Sequence, residues 1–200
     1  MGDRDWESWH DAYDVPGSYL ERRLRVVQKW VAATLDSGAA RVVSLCAGQG
    51  RDLLPVLAAH PRREQVRARL VELDERNVAA ARRAAPPGVE VVCGDAASLG
   101  AYDGAVPADL VLACGVFGNV SDDDIRRTVG LLPQLCAPEA TVIWTRHRRE
   151  PDLVPRICGW FEGGGFERVT VEGDGFGVGV HRYAGPPAAL EPGERMFTFR

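Results

Sequence analysis

Apolar positions in the first quarter of the chain follow a helical period. Leu20, Leu24, Val27, Val31 and Leu35 recur at spacings of three and four between Ser18 and Leu35, which predicts one amphipathic helix. From Arg41 the pattern changes. Short apolar runs at Val42 to Leu45, Ala68 to Leu73, Val89 to Cys93, Leu110 to Cys114 and Thr141 to Thr145 alternate with helical stretches opening at Asp52, Glu75 and Ser121. Such alternation predicts βαβ units and a mainly parallel sheet. Ser121 with Asp124 is a helix-start pair, and that helix is expected to run to about Leu135 and stop at Pro138. A further helix is expected from Pro151, carrying Trp160 and Phe161 near its end and closed by Gly163 to Gly165. Arg168 to Glu172, Gly177 to Tyr183 and Arg195 to Arg200 then read as short strands between Gly and Pro turns, an antiparallel addition to the sheet.

Neither a linker-like boundary nor an internal repeat interrupts this pattern, and 200 residues is the size of one domain. The expectation is a single unit over 1–200, with an N-terminal arm and helix over 1–37 acting as a lid and a core over 38–200. A formal charge of −4 removes the basic field that a nucleic-acid or anionic-membrane protein would carry. No apolar run is long enough to span a bilayer, and the polar start is unlike a signal peptide, so the expected compartment is the cytoplasm. The five cysteines are scattered, with no ligand spacing, which argues against a metal. Monomer and homodimer both stay open.

The chemistry concentrates where the strands end. The first strand runs through Ser44 into Cys46, Ala47, Gly48, Gln49 and Gly50, so two glycines fall in the turn before a helix. There a ligand can approach the backbone closely and the helix start favours anionic groups. The second strand ends Glu72-Leu73-Asp74, where either acid is placed to hold a ribose diol. The third ends Cys93-Gly94-Asp95-Ala96, where a carboxylate can accept from an exocyclic amine while the next backbone N–H donates to a ring nitrogen.

Glycine turn, acid and Gly-Asp-Ala, in that order on successive strands, resemble the class I S-adenosylmethionine-dependent methyltransferases. The resemblance extends from Val42 to the Gly165-Phe166 pair. It implies a Rossmann-like three-layer α/β sandwich with a seven-stranded, mainly parallel sheet, antiparallel at its C-terminal end. It further implies S-adenosylmethionine as cofactor, with S-adenosylhomocysteine as product and no metal. By the family pattern, Cys46 to Gly50 line the methionine part, Asp74 holds the ribose, Asp95 with Ala96 the adenine, and Cys114 at the end of the fourth strand faces the transferring methyl group. Two departures stand out: Ser44 occupies the place of an acid, and Cys46 that of the first glycine.

A nicotinamide-dependent oxidoreductase shares the glycine turn and the second-strand acid, but its third glycine position is Leu53 here, and it gives no reason for Gly94-Asp95-Ala96. A cofactor-binding protein without turnover is the other alternative. For a methyltransferase the expected acceptor is a small molecule, with the methylated atom (N, O, S or C) open and nucleic acid disfavoured. A hydroxyl acceptor would benefit from a base, and the candidates are His147, just past the fifth strand, and His10 in the arm. The plainer reading of His147 is a loop histidine among solvated arginines. Trp6, Trp9, Tyr13 and Tyr19 suggest an arm that packs over the pocket, with Tyr13 capping the sulfonium side. Arg23, at the edge of the apolar stripe, is the candidate for the cofactor carboxylate. Arg146, Arg148 and Arg149 could attract an acidic acceptor, although a run of charge is commonly just exposed.

Overall fold

A computed structural model describes Tyr13 and residues 15–200. Helix α1 (Tyr19–Asp36) starts where Ser18 accepts from the Glu21 backbone N–H at 3.0 Å; of the predicted stripe Leu20, Val27, Val31 and Leu35 are buried and Leu24 is half-buried, while Arg23 and Thr34 are buried beside them. Strand β1 (Arg41–Leu45) follows, then α2 (Leu54–Ala59), β2 (Arg67–Glu72), α3 (Glu75–Ala84), β3 (Val89–Cys93), β4 (Ala108–Ala113) and α4 (Asp122–Leu131). Strand β5 (Cys136–His147), α5 (Val154–Gly163), β6 (Phe166–Glu172) and β7 (Phe176–Tyr183) complete the series.

The strands form one seven-stranded sheet in the order β3-β2-β1-β4-β5-β7-β6. Neighbours from β3 to β5 are parallel, whereas β7 lies antiparallel to both β5 and β6. Strand alternation divides the core in two. Val42, Leu70, Leu110, Ile143 and Val180 face the layer of α1, α2 and α3, against Val31, Leu57 and Val78. Val43, Val71, Val111, Val142 and Trp144 face the opposite layer, against Ile125, Val129, Ile157 and Phe161 from α4 and α5. Three layers result, as the resemblance implies.

One expected strand is absent. Residues 195–200 form no ladder; they make single bridges, Ser98 with Arg195 and Val120 with Phe199. The reason is burial: Met196 and Phe197 are inserted in the core between the segment after β3 and the start of α4, so this stretch seals an edge of the layer instead of extending the sheet. Its backbone is tied down by Met196 N–H to the Ala97 carbonyl at 2.8 Å and by Arg200 N–H to the Asn119 carbonyl at 3.0 Å.

Candidate functional site

The parallel order brings the carboxyl ends of β1, β2 and β3 side by side, where open α/β sheets place ligands. Between β1 and α2 the backbone turns through Gly48 (φ 54°) and Gly50 (φ 74°). A side chain at Gly50 would put its Cβ 2.5 Å from Leu54 Cδ1, so this tight turn requires glycine twice over. Cys46 also has a positive φ, 49°, the left-handed conformation that an L-residue adopts at a cost of about 1–2 kcal/mol. The backbone therefore keeps the course a glycine would take at that position. Burial, with Glu72 and Asp95 nearby, pushes the Cys46 thiol well up, so it is an uncharged wall and not a nucleophile.

The two acids after β2 have different jobs. Asp74 caps α3: its carboxylate accepts from Arg76 N–H at 2.8 Å and pairs with the Arg76 guanidinium, which together hold its pKa down. Glu72 instead spans the mouth of the glycine turn, accepting from Gly48 N–H at 2.8 Å and from Asp74 N–H at 2.9 Å. Beside it, Leu73 is 61% exposed, a large apolar side chain open at the edge of the sheet. At the end of β3, Asp95 accepts from Ala97 N–H at 2.9 Å and forms an ion pair with Arg195 of the C-terminal segment. Ala96 is buried next to it.

On the other side of the turn lies a polar cluster inside apolar surroundings. Arg23 of α1, 7% exposed, donates to the Tyr13 hydroxyl, and the Tyr13 ring has the Arg23 guanidinium at 5.6 Å and that of Arg51 at 5.7 Å. Asp52, in the first residues after the turn, lies in the field of Arg23 and close to Cys114, whose Sγ donates to the Ile143 carbonyl at 3.8 Å. Burial raises the Asp52 carboxyl, Arg23 opposes that rise, and burial together with Asp52 drives the Cys114 thiol well up. Arm, α1, glycine turn and β4 are thus joined through four side chains. Ser44 is buried in β1. Among the described residues, the cations beside the Tyr13 ring are these two guanidinium groups.

The third part is the junction of β4 and β5. Gly115 N–H donates to Thr145 Oγ1 at 2.8 Å, Asn119 Nδ2 to the Gly115 carbonyl at 2.7 Å, and an Arg146 Nη1 to the Phe117 carbonyl. His147, half-buried, lies beside Gly118 and takes a hydrogen bond on Nδ1 from Arg149 N–H at 3.3 Å. Burial lowers its pKa, and the Arg146 and Arg149 charges lower it further, so the ring is neutral near pH 7.

Of the expected site residues, Ser44, the segment from Cys46 to Gly50, Glu72, Asp95 and Ala96 gather at one edge, and Tyr13, Arg23 and Cys114 gather around Asp52 next to it. Asp74 lies at this edge with its side chain committed to α3 and Arg76. His147 belongs to the β4–β5 junction. His10, like Trp6 and Trp9, falls outside the described residues. Two residues were missed, Asp52 and Arg195. Asp52 had a signal, since it is a lone acid opening an apolar run, Leu53-Leu54-Pro55-Val56-Leu57. Arg195 had none, because its partner is 100 residues away. Among the described residues no group of three His, Cys, Asp or Glu side chains is placed to hold a metal ion, and no helix is long and apolar enough to cross a membrane.

No protein-family model matches the sequence, and no curated protein matches it. Solved structures do share its fold. The 1,6-didemethyltoxoflavin-N1-methyltransferase of Burkholderia thailandensis, solved with 1,6-didemethyltoxoflavin and S-adenosylhomocysteine, superposes with a TM-score of 0.67 at 19% identity, over 90% of this chain and 85% of its own. Magnesium protoporphyrin IX methyltransferase of Synechocystis PCC 6803, solved with S-adenosylmethionine, gives 0.66 at 14% identity over 91% and 92%. An O-methyltransferase family protein of Burkholderia thailandensis gives 0.63 at 16% identity over 89% of this chain, which spans 59% of that longer one. The likeness establishes a shared methyltransferase-type fold.

Proposed function

We propose that this chain transfers a methyl group from S-adenosylmethionine to a small-molecule acceptor. One observation carries the reading: a glycine turn spanned by the Glu72 carboxylate, with a second acid, Asp95, at the end of the adjacent strand. Its setting agrees, because the fold neighbours named above include proteins solved with S-adenosylmethionine or S-adenosylhomocysteine. The sheet order argues against the nicotinamide alternative. A dinucleotide fold continues its parallel sheet past β5, whereas here antiparallel β7 occupies that place.

When bound, the cofactor supplies an electrophilic methyl group on a sulfonium. The protein's part is binding, alignment and exclusion of water. Glu72 is our assignment for the ribose diol in preference to Asp74, since each of its oxygens keeps a lone pair after accepting one backbone bond. Asp95 and the backbone N–H of Ala96 would take the adenine edge. Cys46, Ala47, Gly48, Gln49 and Gly50 would line the methionine part, with Arg23 toward its carboxylate and Asp52 supplying the negative charge that Ser44 lacks. Tyr13, whose hydroxyl accepts from Arg23, helps to hold that guanidinium in place. His147 fits the role of a donor better than that of a base. A neutral ring that accepts on Nδ1 carries its proton on Nε2, which then has no lone pair to offer.

Isothermal titration of S-adenosylhomocysteine into Glu72→Gln and Asp74→Ala separates the two acids. Loss of about 1–3 kcal/mol of binding in Glu72→Gln, with little change in Asp74→Ala, is expected. The reverse pattern would return the ribose to Asp74.

A further inference from the structure

The β4–β5 junction carries more positive charge than its own acids neutralise. Arg148 is satisfied, by Asp152 at 2.7 Å and the Phe176 carbonyl at 3.2 Å. Arg146 and Arg149 form no ion pair with any described acid. Arg146 is the more telling. It is half-buried, its Nη1 is used by the Phe117 carbonyl, and its Nε is enclosed without a hydrogen-bond partner among the described residues. A guanidinium held this way in the protein, with Nη2 left over, needs a counter-charge. Asp122 and Asp152 are the acids in its field, and Asp152 is spent on Arg148, while Arg200 adds a further positive charge. Burial lowers the His147 pKa, and the Arg146 and Arg149 charges add to it.

These groups stand at the sheet edge where open α/β folds place ligands. Arg146 and His147 are the last two residues of β5, next to the β4 strand end and its loop through Phe117 and Gly118. Tyr19, whose ring meets Phe176 edge-on at 5.4 Å, is in the field of Arg146 and Arg149 and adds an aromatic wall.

Resting on the methyl-transfer reading above, we propose that the acceptor is an anionic, ring-bearing small molecule, whose carboxylate or phosphate is bound by Arg146 Nη2, the Arg149 guanidinium and His147 Nε2–H. The anion supplies the missing counter-charge, and the glycine-bearing β4 loop leaves the ring beside the methyl centre.

The test uses benzoate, phenyl phosphate and neutral benzamide as probes of the intact chain saturated with S-adenosylhomocysteine, followed by the Arg Nε–H and His147 ring signals in ¹H–¹⁵N spectra. Selective shifts of Arg146 and His147 with the two anions and none with benzamide are expected; the stronger of the two anions tells carboxylate from phosphate. Equal response to benzamide, or no response to either anion, overturns the proposal. Arg149→Gln should weaken anion binding by about tenfold, equivalent to about 1.4 kcal/mol, and leave S-adenosylhomocysteine binding unchanged. In turnover, the same variant should raise KM for an anionic acceptor without a matching fall in kcat. If S-adenosylhomocysteine fails to bind the wild-type chain, the methyl-transfer reading has failed, and the anion titration repeated without it still decides whether the basic site exists.

Discussion

Gly179 of β7 lies opposite Trp144 of β5, with the indole ring against the face where a side chain would stand. A Cβ added there would sit 2.5 Å from Trp144 Nε1 and closer still to two ring carbons. Contacts between non-bonded carbons settle at about 3.5–4.0 Å, so the ring would have to retreat by about an ångström or more. It has nowhere to go. Trp144 is fully buried, stacked on Phe161 at 5.7 Å with an interplanar angle of 9°, and tilted against Phe117 at 5.9 Å. Its Nε1–H donates to His181 Nδ1 at 3.1 Å. Overpacking of this kind costs about 1–3 kcal/mol, and stranding the indole N–H adds about 1–3 kcal/mol more, so Gly179→Ala should lose about 2–6 kcal/mol. That is a large share of the ~5–15 kcal/mol that stabilises a typical domain. Urea unfolding measures it as a fall in midpoint with an unchanged slope. Trp144→Ala removes the whole colliding ring, so in the double variant the added methyl should cost far less than it does alone. A loss under about 0.5 kcal/mol for Gly179→Ala, or equal costs in both backgrounds, would refute the reasoning. Since Trp144 precedes Thr145, Arg146 and His147, the same variant should also weaken acceptor turnover.

His181, fully buried against Phe161 at 4.5 Å, has its pKa lowered by burial to about 4 from an ordinary 6.5. The unfolded chain takes up this proton first, so its contribution is complete above pH 6.5, is lost as pH falls toward 4, and amounts to about 3 kcal/mol. His181→Gln should flatten that part of the unfolding free energy measured between pH 7 and 4; an unchanged slope would place the titration elsewhere. Tyr13→Phe removes one acceptor of the buried Arg23 and should cost about 1–3 kcal/mol, read as a lower Tm in a thermal scan. An unaltered Tm would mean that the arm contributes nothing through this bond.

The sequence carried the elements because the strands alternate faces in a regular order: Val42 and Val43, Leu110 and Val111, and Val142 and Ile143 each divide between the two helical layers. Local chemistry was equally readable at the glycine turn, where φ and packing both exclude side chains. The C-terminal stretch was not, because Met196 and Phe197 look like strand residues until the cavity they fill is known. Glu72 and Asp74 show the same limit at the site. Two acids two residues apart point to the same side of a strand, but Asp74 is already past it, where a helix start claims its carboxylate. The ties of Asp52 to Arg23 and Cys114 depend on three elements converging, which no spacing along the chain records.

Calorimetric titration of S-adenosylhomocysteine into the wild-type chain, beside NAD and NADP, is the most direct test of the account. We expect binding of the first at about micromolar strength, near −8 kcal/mol, with no heat from either nicotinamide cofactor. Binding of NAD or NADP alone would contradict the account in favour of an oxidoreductase, and silence from all three would contradict it in favour of a protein that keeps this fold without the cofactor.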